Sequence, residues 1–139
     1  MSNFTVEGYT EPIEGFPVYP RPAHDTVRIQ ESDVSHPTAD SQTLAAAGDP
    51  VLIGGVSGVA LETAEASTDY INIDTGGIYW LSVTAGATIS IGDAIYADSD
   101  LVLSETWGGT PFGFALKAVA ETETDVIPIK LAHWVDLVS

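Results

Sequence analysis

The sequence predicts an all-β fold, a small barrel or sandwich of short strands (β-tulip-like) with an extended N-terminal arm and at most one short helix. Three observations carry that prediction. Short runs of β-branched and aromatic residues, separated by turn residues, recur from about residue 45 onward. Eleven of the thirteen glycines lie in that same stretch, whereas five of the eight prolines (Pro12, Pro17, Pro20, Pro22 and Pro37) precede it. No segment has a sustained helical period.

Taken in order, residues 1–44 read as the arm. Proline removes backbone donors and biases its predecessor toward extended conformations. The apolar residues there (Phe4, Val6, Tyr9, Ile13, Phe16, Val18, Tyr19, Val27 and Ile29) stand singly or in pairs, with a short strand expected at Thr26–Gln30. Such a segment builds no core of its own. A solvated tail is one reading. Docking on a neighbouring subunit is favoured, because a solvated tail has no use for Phe4, Tyr9, Phe16 and Tyr19.

Residues 45–131 form the β domain. Strands are expected at Val51–Ile53, Val59–Leu61, Tyr70–Ile73, Ile78–Thr84, Thr88–Ile91, Ala94–Ala97, Leu101–Leu103, Pro111–Val119 and Val126–Leu131. Ile71 and Ile73, and Ile127, Ile129 and Leu131, show the period of two of half-buried strands. Gly54-Gly55, Gly76-Gly77 and Gly108-Gly109 punctuate them. Ala115–Glu121 is the one helix candidate, too short to stand alone. Gly48-Asp49 and Gly92-Asp93 each open a similar strand–turn–strand unit, read as two hairpins inside one barrel. Residues 132–139 are a short C-terminal tail.

Charge narrows the function. Twenty acidic residues face only Arg21, Arg28, Lys117 and Lys130, for a net charge of −16. A chain this poor in cations cannot build the stripe that neutralises phosphates, so direct nucleic-acid binding is not expected. The acids are scattered, which favours a solvated, self-repelling surface over attraction to a basic partner patch. There is no cysteine, hence no disulfide, thiolate metal site or thiol nucleophile. No apolar run approaches the ~20 residues that span a bilayer, and the acidic start lacks the flank of a signal peptide. No membrane association is expected.

Chemistry-bearing motifs are sparse. Gly54–Ala60 has glycines but no Gly-Lys-Ser/Thr, so it is a turn and not a phosphate loop. His24, His36 and His133 have no second ligand at metal spacing, and Ser35 and Ser57 lie in no nucleophile elbow beside His24-Asp25. Asp93, Asp98 and Asp100 are the best metal candidate, yet their spacing departs from the EF-hand loop and a solvated turn is the favoured reading. Glu121 and Glu123 carry no cleft signal. Neither a cofactor nor a metal is expected. Trp80 lies in an apolar strand and reads as core, while Trp107 and Trp134 read as contact residues.

Three stretches in order, GDPVLIGGVSGVA from Gly48, DTGGIYWLSVTAGATISIGDAIYADSD from Asp74 and GGTPFGFALKAVAETETDVIPIKL ending at Leu131, resemble the capsid cement (head decoration) proteins of tailed phages. The resemblance spans residues 48–131; the arm is longer than is usual in that family, and the tail after Leu131 is additional. It implies a structural protein, not an enzyme, made in the host cytoplasm and placed on the outer face of the virion. The implied partners are the major capsid protein and the chain itself, as a trimer or, second, a dimer. Phe4, Tyr9, Phe16, Tyr19, Trp107 and Trp134 are the expected capsid or subunit contacts. The alternative is a β-domain module that recognises a glycan or host surface through Trp107 and neighbouring acids.

Overall fold

The computed structural model describes residues 12–18 and 26–132. Among the described residues nine strands form two sheets: β1 (Thr26–Gln30), β2 (Pro50–Ile53), β3 (Val56–Ala60), β4 (Tyr70–Asp74), β5 (Ile78–Thr84), β6 (Ala94–Ala97), β7 (Leu103–Ser104), β8 (Thr110–Ala115) and β9 (Thr124–Leu131). The first four pair in the order β1-β4-β3-β2, and the other five close a barrel in the order β5-β7-β6-β8-β9. The fold is all-β.

The long ribbon of the barrel is β5 against β9, in register from Ile78↔Lys130 to Thr84↔Thr124. Its period of two sends Tyr79, Leu81 and Val83, with Ile127, Ile129 and Leu131, into a core that also holds Phe112, Ile95 and Leu103. β2 and β3 bury both faces. Leu52 and Val59 join the barrel core, whereas Val51 and Ala60 join a second cluster with Ile71, Ile73, Val34 and Ala45. That two-sided burial explains why PVLI and VSGVA read as nearly continuous apolar runs.

β1 falls inside the stretch 1–44, and its full pairing with β4 ties the later part of that stretch to the sheet. Further upstream, the main chain of residues 15–18 runs along the start of β5. The Gly15 N–H donates to the Trp80 carbonyl (2.6 Å), the Trp80 N–H to that of Phe16 (2.9 Å) and the Val18 N–H to that of Ile78 (2.9 Å).

Three sequence expectations are corrected. Ala115–Glu121 is not a helix: Ala115 ends β8, and Val119 instead forms an isolated bridge with Ile89 through a reciprocal pair of backbone bonds. Ile89 and Val119 are both buried, so core burial and bridge pairing override a seven-residue helical propensity. The stretch Thr88–Ile91 contributes only that bridge rather than a strand. The two Gly-Asp hairpins do form, but one lies in the four-stranded sheet (β2–β3) and the other in the barrel (β6–β7).

Their shared opening is a clip that occurs four times among the described residues, in 13–16, 46–49, 90–93 and 120–123. In each, the fourth N–H donates to the first carbonyl, and the third residue has positive φ, as in a type II turn. The third N–H and fourth carbonyl then grip one residue of a neighbouring strand edge: Trp80, Ala60, Ala115 and Ala85 respectively. Glycine fills the third position three times (Gly15, Gly48 and Gly92); Thr122 fills it once, at φ 69°. Gly15 and Gly48 abut, and a Cβ on Gly15 would lie 2.6 Å from the Gly48 Cα.

Candidate functional site

Of the six expected contact residues, Phe4, Tyr9, Tyr19 and Trp134 lie outside the described residues. Phe16 and Trp107 are described, and both side chains are exposed, by 54% and 83%. They line different clefts. Phe16 borders a shallow apolar one with Ala47, Leu61 and Tyr79. Trp107 borders one formed where the two sheets meet, with Leu52 from β2 and Ala97, Asp98 and Leu101 from the β6–β7 turn. Trp80 is buried, opposite Pro128 on the ribbon and beside Pro12, Leu116 and Val126.

The loop that carries Trp107 is braced from both sides. Glu105 accepts the Gly86 N–H (2.8 Å), and the Ser104 hydroxyl accepts the Thr106 N–H (3.2 Å). Burial pushes the Glu105 carboxyl up, but the N–H groups of Gly86, Glu105 itself and Ala87, with the Thr106 hydroxyl, outweigh it and hold the group below the ordinary glutamate value. At the other end, a Cβ on Gly109 would lie 2.5 Å from the Ala97 carbonyl oxygen, so only glycine lets the loop approach β6 this closely. An 83%-exposed indole on a loop held at both ends is preorganised for contact.

The acidic candidates serve turns. Asp93 accepts the Ser90 N–H (2.8 Å), Asp98 Oδ1 accepts those of Asp100 (2.8 Å) and Val102 (3.0 Å), and Asp100 Oδ1 accepts the Thr38 hydroxyl (2.7 Å). Asp93 and Asp98 flank β6 at its two ends, and five residue steps of extended chain separate them by about 17 Å. They cannot share an ion. Among the described residues, no group of three His, Asp or Glu side chains is placed to hold a metal ion. Glu121 and Glu123 sit exposed in the fourth clip. Ser57 is buried, its hydroxyl donating to the Ala132 carbonyl (3.4 Å), and Ser35 bridges Leu52. His24, Asp25 and His133 lie outside the described residues.

Two buried polar pairs escaped the sequence reading. The Glu31 carboxylate, 4% exposed, accepts the Ala45 N–H at 3.0 Å, and the His36 Nε2 lies 3.3 Å from the same oxygen. The Tyr79 hydroxyl donates to the fully buried Asp74 (2.6 Å), whose other oxygen accepts the Gly76 N–H. No motif marks either pair. Their only signal is an acid beside apolar strand residues, which also describes many surface acids here. The ion pairs Arg28–Glu62 (3.8 Å) and Lys117–Asp125 (3.2 Å) are exposed and contribute little.

No helix among the described residues is long and apolar enough to cross a membrane. Comparison with curated proteins and with solved structures gave no match. A family model, that of the phage cement proteins, matches residues 29–131 and so takes in both sheets from within β1 to the end of β9. The match covers about three quarters of the sequence, and the chain belongs to the phage cement protein family.

Proposed function

We propose that this phage capsid-associated protein binds the outer surface of the capsid and stabilises the lattice across neighbouring major capsid protein subunits, catalysing no reaction. The observation that carries this reading is the family match across both sheets. Physical chemistry agrees with it. A protein that binds only the assembled lattice stabilises that lattice by mass action, and many identical weak contacts act together through effective concentration. Such a task needs a stiff body and exposed anchors, and the chain has both in the clipped barrel and in Phe16 and Trp107.

Self-association as a trimer, with a dimer as the next state, completes the proposal. Exposed Phe16 and Leu61 beside Ala47 supply apolar surface for it. Phe4, Tyr9, Tyr19 and Trp134 remain proposed contacts, with residues 1–11 as the arm that reaches a neighbour. A truncation after residue 11 leaves the first clip and β1 in place, so it tests the arm without removing a strand.

The deciding experiment mixes purified protein with undecorated capsids and images the particles. Regular density on the outer face, together with a raised capsid melting temperature, is the expected result. Bare capsids at saturating protein would refute the reading. Sedimentation equilibrium reports the oligomer separately, and a monomer at all concentrations would remove the preformed trimer.

A further inference from the structure

The cleft between the two sheets has a composition that the cement reading alone does not explain. Leu52, Ala97 and Leu101, only 6%, 2% and 4% exposed, back it, and Ser35, Ser99, Thr106 and Thr110 line it beside them. One wall carries the exposed Trp107 on its braced loop, and Asp98 lines the rim, with Asp100 next to it in the same turn. Asp98 Oδ1 holds the turn together and Asp100 Oδ1 accepts the Thr38 hydroxyl, while the second oxygen of each accepts no hydrogen bond from the described residues. None of the chain's described cations lines the cleft. Arg28 stands by Glu62, Lys117 by Asp125, and Lys130 lies across from Ile78 on the β5–β9 ribbon.

An exposed indole beside a carboxylate, on a strongly acidic chain, matches a cationic side chain. Lysine and arginine carry a long aliphatic stem that buries against apolar surface and a charged head that stays at the rim. The head gains from an indole face and from a carboxylate with a vacant oxygen. Glycans also stack on indoles, but a neutral sugar gains nothing from a net charge of −16, whereas a cation does.

Resting on the cement reading above, we propose that this cleft receives an arginine or lysine side chain of the capsid surface, its stem over Leu52 and Leu101 and its cationic head between Trp107 and Asp98. The cleft is then the specific anchor, and the net charge of −16 becomes a long-range attraction toward a basic patch on the partner.

The test titrates undecorated capsids with wild type, Trp107→Ala, Trp107→Phe and Asp98→Asn at several salt concentrations, with melting temperature as the folding control. Trp107 is exposed, and asparagine keeps the Oδ1 that holds the turn, so all three variants are expected to fold. Trp107→Ala should weaken attachment at least tenfold and Trp107→Phe by less. Asp98→Asn should weaken it about threefold and flatten the salt dependence, which a purely structural role would not do. Wild-type affinity and salt slope in Trp107→Ala and Asp98→Asn would overturn the inference and leave the cement reading standing. Failure of wild type to decorate capsids would bring down both. Unchanged capsid binding with loss of retention on a glycan array would assign the cleft to sugar instead.

Discussion

The closed barrel and the four-stranded sheet use the same short strands and the same clip, yet they are completed differently. In the barrel each strand has a neighbour on both sides, and among the described residues its core cluster counts seventeen buried side chains, Leu52 and Val59 of the sheet included. Among the described residues the open sheet has an unpaired edge at β1, and its own cluster has seven buried residues. Its ends are finished by buried polar side chains, Glu31 gripping the Ala45 N–H and Asp74 holding the Gly76 N–H. Carboxylates cap loop N–H groups in both regions, but those of Asp93, Asp98 and Glu105 serve exposed turns of the barrel, whereas those of the sheet are buried and have no water to replace them. The barrel is therefore expected to carry most of the stability, and the sheet most of the local opening.

The largest effect that would sharpen this contrast comes from the two cores. Phe112→Ala, at a fully buried barrel position, should cost about 3–5 kcal/mol in denaturant unfolding. Ile71→Ala in the sheet should cost about 2–3 kcal/mol, because an open edge lets the cavity collapse more fully. Equal losses would break the comparison. Glu31→Ala should cost about 1–3 kcal/mol by leaving the buried Ala45 N–H without its acceptor. Hydrogen exchange should place that loss in the sheet, with faster exchange in β1, β2 and β4 and unchanged protection in β5 and β9. Uniform acceleration would mean that sheet and barrel open as one unit.

A smaller effect probes the clip itself. A β-branched residue at φ 69° is strained, so Thr122→Gly should raise stability by about 0.5–1 kcal/mol, read from the denaturant midpoint. Conversely Gly92→Ala, in the other barrel clip, should lower it by a similar amount. The smallest effect is at Glu105. Its folded-state pKa lies below the ordinary value, so its stabilisation is present above that value and is lost as pH falls through the folded pKa. Trp107 fluorescence should show an acid transition below the ordinary glutamate range as the loop loosens, while melting temperature hardly moves. Glu105→Gln should abolish that transition, and its persistence in the variant would assign it elsewhere.

Much of this was legible from residues alone. The strands Ile78–Thr84 and Ala94–Ala97 were expected at their observed bounds, because a two-residue apolar period between glycine and aspartate turns leaves little choice. The Gly-Asp signature also marked two of the four clips. The other two were hidden, since Ile13–Phe16 and Ala120–Glu123 share their hydrogen bonding and not their residues. Exposure of Phe16 and Trp107 was part of the contact expectation, but their separation into two clefts was not.

What the sequence determined by itself was the β class, the positions of most strands, the poverty in cations and the lack of thiol chemistry, because each follows from local periodicity or plain counting. Tertiary structure alone decided that β1 joins β4, that Ile89 and Val119 bridge in place of a helix, and that Leu52 and Trp107 line one cleft. Those outcomes depend on contacts between residues 30 or more positions apart. Their energies come from shared burial and paired backbone groups, which no local window of sequence contains.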